Sequence, residues 1–422
     1  MIEGLKKALY FPLASYFRFF AAIRLKRWNP NIVVVTGSNG KTTLLHLLES
    51  QIGKKAKFSH HANSSYGIPF DVLGLERKTL RTSEWLDLFM RAPLCAFAPL
   101  PKEQLYIVEA DCDRPGEGKF LAEFLQPEIV LWTSLSRTHS MNFDGLVAHG
   151  NFTTVEEAIA YEYGYFLQHC QKYAVIVGDN PLQQKQVGRT KTEVLSITKE
   201  KILQKYEVTK EGTSFHVNNT TYAFSALLPE EVSYALVMCR ETVEHLGLPF
   251  DPSFKQFIIP PGRGSVFAGI KDTILIDSSY NANLGSIKAI LAMFAKFPAK
   301  KKWVVIGDMM ELGEEEKEEH EKLAEELNKM GLDRIILIGK RVKKYTYPQL
   351  ASRANVVAFE IQKEVLPYLQ ETIQTGEAIL FKGSQSIYLE GIIEPLLAKN
   401  EDIAKLPRRG DFWDEQRKKK GL

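Results

Sequence analysis

The eight residues Thr36-Gly37-Ser38-Asn39-Gly40-Lys41-Thr42-Thr43 are the stretch of the chain best equipped for chemistry. Two glycines let the backbone bend round a phosphate, and the amides that open the following helix present positive potential to it. Lys41 brings a full charge within reach of β- and γ-phosphates, and the Thr42 hydroxyl suits magnesium. The loop directly follows the β-branched run Ile32–Val35 and directly precedes an apolar helical run, the strand–turn–helix setting such a loop needs. These residues point to a nucleotide triphosphate. Only two residues separate Gly37 from Gly40, where the standard phosphate loop has four.

The elements that must position this loop alternate. After the first strand come strand candidates at Leu105–Glu109, Ile129–Thr133 and Ala174–Val177, separated by helical or loop sequence, then a β-rich stretch over Glu207–Phe224 and a helix over Glu230–Leu246. That order predicts an α/β fold whose parallel sheet is covered on both faces. Pro260-Pro261-Gly262 marks a boundary. Beyond it DTILIDSS, KKWVVIGD, RIILIG and AILFKGS repeat the alternation as a second, Rossmann-like unit. The reading is a helix in residues 1–30, a central ATP-binding domain over 31–258, a C-terminal Rossmann-like domain over 259–400 and a basic tail over 401–422. Residues from Arg408 onward are expected to fray, and Glu314–Leu327, charged on most faces, to be a solvated surface helix.

The loop Thr36–Thr43 resembles that of the Mur ligase superfamily. PPGRG (Pro260–Gly264), IDSSYNAN (Ile276–Asn283), VVIGDMMELG (Val304–Gly313) with His320 beyond it, and FKGSQSIYLE (Phe381–Glu390) resemble successive motifs of its MurF type, in order, across residues 31–395. The resemblance implies an ADP-forming amide ligase using ATP and magnesium. It places Gly37, Ser38, Asn39, Gly40, Lys41, Thr42 and Thr43 on the nucleotide, with Arg263, Asp277, Tyr280 and Asn281 reaching it from the C-terminal domain. It makes Thr42, Glu109 and His139 the metal ligands, Lys41, Glu109, His139 and Arg263 the catalytic set, and Asn63 and Lys382 substrate-side residues. A glutamate ending a parallel strand does point into the crevice where such folds bind ligands.

Several positions depart from the family pattern. MurF-type ligases carry a UDP-binding domain before the loop, whereas about 35 residues precede it here, so a UDP-linked donor would have to be held otherwise. The family lysine that is carbamylated and bridges to magnesium is matched by Tyr163, with Glu162 the candidate substitute. Asn63-Ser64 stands for paired asparagines, Thr133-Ser134 for threonine–asparagine, Asp277-Ser278 for a double aspartate, Leu284 for a proline and Gln385 for an arginine. The nucleotide side is kept better than the substrate side. The leading function is therefore a cell-wall peptide ligase joining a small-molecule or lipid-linked peptide to an amine. Two alternatives are an amidating subunit for lipid-linked precursor, which usually carries a four-cysteine zinc ribbon, and a ligase of another polymer or cofactor. A third, from another class, is an ATP-binding scaffold without turnover.

Composition bounds the rest. Cys95, Cys112, Cys170 and Cys239 form no CxxC pair, which excludes a zinc ribbon or disulfide framework and makes a reducing cytoplasm the default. Net charge is +3, which argues against a nucleic-acid partner, and a monomer is expected. Residues 1–30 alone carry +5 and the tail +2, leaving −4 between them. The helix over residues 5–28 has two readings: packing on its own domain, or peripheral contact with the inner face of an anionic membrane.

Overall fold

The computed structural model describes residues 2–60, 62–77 and 84–419. The chain divides into two compact units, one of residues 1–135, 145–202 and 233–257, the other of residues 136–144, 203–232 and 258–422.

The first unit is built on six parallel strands: β1 (Asn31–Thr36), β2 (Ala56–Phe58), β3 (Leu105–Ala110), β4 (Ile129–Trp132), β5 (Tyr173–Val177) and β6 (Glu193–Ile197), in the order β2-β3-β1-β4-β5-β6. β1, β3, β4 and β5 are buried almost throughout, as a sheet covered on both faces requires. β2 and β6 carry polar residues at the edges, which is why the apolar-run criterion passes over them. β1 lies between β3 and β4, so the loop leaving it opens where strand order reverses.

Helix α1 (Ile2–Trp28) buries Ala14, Phe17, Ala21, Leu25 and Trp28, one stripe at helical spacing. It lies on α3 (Gly67–Leu73) and α4 (Glu84–Phe97), the helices that follow the loop-bearing α2 (Lys41–Ile52). The Phe17 ring meets Phe70 at 4.7 Å and Phe89 at 4.8 Å. Arg24 donates to the carbonyls of Cys95 (2.6 Å) and Pro99 (2.7 Å), and Arg27 to Ala96 (2.7 Å), so both guanidinium groups cap the C-terminal end of α4. Of the two readings of this helix, its inner face fits packing. Helices α5 (Glu117–Leu125), α6 (Val155–Gln168) and α7 (Val232–His245) complete the unit, α7 reaching into it from Val232.

In the second unit β7 (Leu203–Val208), β8 (Thr213–Val217) and β9 (Thr220–Phe224) form an antiparallel sheet. The main sheet runs β10 (Ser265–Ala268), β11 (Ile274–Asp277), β15 (Ala378–Lys382), β12 (Lys302–Gly307), β13 (Arg334–Ile338), β14 (Val356–Phe359), parallel except for β10. Alternation sorts its side chains: Val304, Ile306, Ile335 and Leu337 face α8 (Leu284–Lys296) and α9 (Glu316–Asn328), whereas Trp303, Val305, Ile336 and Ile338 face α10 (Gln362–Thr372).

α9 is a surface helix with one buried stripe: His320, Leu323 and Leu327, at i, i+3 and i+7, are buried, and His320 Nε2 accepts from the Met309 N–H at 3.2 Å. One expectation is corrected. The tail does not fray at Arg408. That residue is buried in a two-bond pair with Glu390, and α11 (Asp411–Lys419) follows. Charge composition misleads there, because it counts charges without their partners. Residues 420–422 of the basic tail lie outside the described residues.

Candidate functional site

In the first unit β1 delivers the chain into a tight loop. Gly37 has φ of 121°, and a Cβ there would stand 2.6 Å from Thr133 Oγ1 and 2.7 Å from the Ser134 carbonyl. Gly40, at φ of 85°, opens α2 with no side chain capping its first turn. Donors of that turn are the ones an anion takes up. Thr133-Ser134, just beyond β4, stitches the loop: Ser134 accepts from the Ser38 N–H (3.0 Å) and, through Oγ, from the Asn39 N–H (2.8 Å), and Thr133 Oγ1 donates to the Asn39 carbonyl (2.7 Å).

Lys41 is buried, its ammonium donating to the Gly37 carbonyl and paired with Asp111 Oδ2 at 2.6 Å. Burial pulls its pKa down, but Asp111 and Glu109 outweigh that and hold it above the ordinary lysine range. Glu109 Oε2 accepts from Thr42 Oγ1 at 2.9 Å, so two hard oxygens meet beside the loop, a donor set that suits magnesium. Register sets Val35, in the strand that feeds the loop, opposite Glu109.

Sequence reasoning missed Asp111. It follows Glu109 by two residues, the spacing that returns a side chain to the same strand face, and that was the available signal. Its Oδ1 accepts from the Tyr163 hydroxyl (2.7 Å) and its own next amide (2.9 Å), and its N–H donates to the Asn63 carbonyl (2.8 Å). Tyr163 is fully buried, and desolvation with the nearby Asp111 charge pushes its hydroxyl well above the usual range. Glu162, the candidate substitute for a carbamylated lysine, is engaged by the backbone. Its two oxygens accept from the Gly116 (2.7 Å) and Gly118 (3.0 Å) amides at the start of α5. Cys112 is buried and its thiol is pushed up by burial, so it is no nucleophile.

The second unit gathers the remaining candidates round the turn after β11. Asp277 is buried, accepts from the Ser279 N–H at 2.9 Å and is pushed up by burial. Arg263 lies over the Tyr280 ring, 4.1 Å from its centroid. Lys382, at the end of the adjacent β15, donates to the carbonyls of Ser278 (3.3 Å) and Asn281, and burial together with Arg263 pulls it down to about 7. Arg408 closes the turn from the other side, donating to Ser279 (3.1 Å) and Tyr280 (3.2 Å) carbonyls. His139 belongs to this unit, its Nδ1 at 2.5 Å from Glu311 Oε2.

A glycine-bent loop between a central parallel strand and a helix, backed by a threonine–glutamate oxygen pair, defines a P-loop nucleotide-binding protein carrying a second, Rossmann-like unit. Residues 35–231 match the Mur ligase middle domain and residues 262–385 the Mur ligase glutamate ligase domain. The chain belongs to the Mur ligase family. It is 26% identical over 412 residues to the UDP-N-acetylmuramoyl-tripeptide D-alanyl-D-alanine ligase of Synechocystis, covering 92% of this chain and 79% of that one. With the ligase of the same name from Escherichia coli it shares 23% over 377 residues, 86% of this chain and 76% of the other. The crystal structure of MurF ligase from Thermotoga maritima in complex with ADP matches its fold with a TM-score of 0.74 at 22% identity, covering 93% and 84% of the two chains.

Proposed function

We propose that the chain is an ATP-dependent, ADP-forming amide ligase of the MurF kind, acting on a peptidoglycan-precursor peptide. The observation that carries this is the Thr42–Glu109 oxygen pair beside a phosphate loop that already holds a charged lysine. Family membership and the names of the relatives support the reaction class. A donor carboxylate attacks the γ-phosphorus of ATP and ADP departs; an amine then attacks the acyl carbon, phosphate leaves and the nitrogen loses its proton. Loop amides and Lys41 hold and neutralise the phosphates, while Gly37 and Thr133-Ser134 keep the loop in shape. Thr42 and Glu109 would hold magnesium, with His139 as a further ligand; the ion supplies charge neutralisation on phosphate oxygens. Arg263, Asp277, Tyr280 and Asn281 serve the nucleotide from the second unit, and Asn63 and Lys382 the substrate.

Phosphate release is the test, with magnesium and ATP, UDP-linked and lipid-linked peptide donors side by side, and a panel of amines including D-alanyl-D-alanine. Stimulation by one donor–amine pair, lost in Lys41→Ala, is expected. Nucleotide binding with no stimulation by any pair would leave a scaffold instead.

A further inference from the structure

The outer faces of α1 and α4 carry apolar side chains that no described residue of the unit covers. On α4, Leu86, Met90, Leu94 and Phe97 are 66–73% exposed. They fall at i, i+4, i+8 and i+11, one stripe of the helix, on the side away from the buried Leu88, Ala92 and Ala96. On α1, Leu9 and Leu13 are exposed and align with Tyr16 and Phe20 at i, i+4, i+7 and i+11, and Phe19 beside them is 62% exposed. The two stripes join, because the Tyr16 ring meets Phe89 of α4 at 5.0 Å and Phe20 at 5.1 Å. A continuous exposed apolar face of this kind marks an interaction surface, since single exposed residues would scatter.

Charge identifies the occupant. Cations stand at the edge of the patch: the Arg27 guanidinium, which also caps α4 at the Ala96 carbonyl, is 5.7 Å from the Phe97 ring centroid, Arg77 is 5.1 Å from that of Trp85 beside Leu86, and Arg91, paired with Asp87 at 3.3 Å, adjoins Met90. Residues 1–30 carry +5, with Arg24 buried on α4 carbonyls and Arg18 turned to Phe120 and Glu123, whereas the long body between the two basic ends carries −4. No helix among the described residues is long and apolar enough to cross a membrane. Apolar side chains rimmed by arginine on helices that do not span are what lies flat on an anionic bilayer, tails inserted and guanidinium groups at the phosphates. We infer that α1 and α4 together form a monotopic docking face for an anionic lipid surface, a property that stands independently of the ligase chemistry.

The test uses the full chain and flotation with vesicles of equal phosphatidylglycerol and phosphatidylcholine, against phosphatidylcholine alone, at low and high salt. The wild type is expected to float with anionic vesicles and to be released by salt. Leu86→Ser/Met90→Gln/Leu94→Ser is expected to bind at least about tenfold more weakly, with an unchanged melting temperature because the residues are exposed. Arg77→Gln, which touches no core, is expected to lower binding about fivefold. Sedimentation velocity on the same samples reads the competing occupant. Equal binding by the triple variant, no binding by the wild type, or a wild-type dimer that the triple variant converts to monomer would each overturn the inference.

Discussion

Asp111 holds the ammonium of Lys41 at 2.6 Å inside the phosphate loop, and the same carboxylate is held in turn by the Tyr163 hydroxyl at 2.7 Å. A phosphate arriving at the loop competes with Asp111 for Lys41. Removing the carboxylate leaves a buried cation without its partner, a loss of about 3–5 kcal/mol. Asp111→Asn is therefore expected to lower the melting temperature of the nucleotide-free protein, and ADP is expected to restore more stability to the variant than to the wild type. Thermal unfolding with and without ADP reads this; equal ADP-induced shifts would contradict it.

Gly37→Ala tests the loop shape. Its Cβ would meet Thr133 Oγ1 and the Ser134 backbone below 3 Å at a φ of 121°, so the loop must open and ADP affinity is expected to fall at least about tenfold. Gly53→Ala is the control. It too sits at positive φ, 57°, but its Cβ meets nothing, so it is expected to cost about 1–2 kcal/mol of stability and leave ADP binding intact. Calorimetric titration of both variants distinguishes local strain from loss of the site.

Arg408 ties the tail to the turn after β11. With Glu390 fully buried and held by Arg408 in two bonds, Arg408→Ala is expected to destabilise the second unit by about 1.5–3 kcal/mol, because the carboxylate keeps only its longer contact with Arg417 at 3.4 Å. Denaturant unfolding measures it. A loss under about 1 kcal/mol, the range of a surface pair, would mean the contact is solvated.

Lys382 sets a pH dependence. In the unfolded chain it keeps its proton to about pH 10.5, whereas in the folded protein burial and Arg263 bring its pKa down to about 7. Between those values the unfolded chain binds more protons, so stability contributed at this residue rises with pH, by at most about 1.4 kcal/mol per unit. Lys382→Met is expected to be stabilised relative to wild type near pH 6.5 and to lose that advantage as pH approaches 10. Parallel unfolding curves across that range would contradict the assignment.

The nucleotide side was legible because local spacing carries it: Gly37, Gly40, Lys41 and Thr42 are adjacent in sequence, and the β-branched run before them could only be a strand in this setting. Asp111 and Arg408 were not legible, since each matters through a partner 70 and 18 positions away that only the fold supplies. Edge strands β2 and β6 lack the apolar runs of the central strands, and α9 hides a three-residue stripe within a charge-rich segment. Glu162 shows the converse. Its type suited a metal, but two amides of α5 had already claimed it.

The route of oxygen tests the ligase chemistry most directly. With a peptide donor labelled with oxygen-18 in its reacting carboxylate, a productive amine, magnesium and ATP, one labelled oxygen is expected in each inorganic phosphate released, with ADP as the other product and no turnover in Lys41→Ala. Unlabelled phosphate, AMP in place of ADP, or full activity in Lys41→Ala would contradict an acyl-phosphate ligase built on this loop.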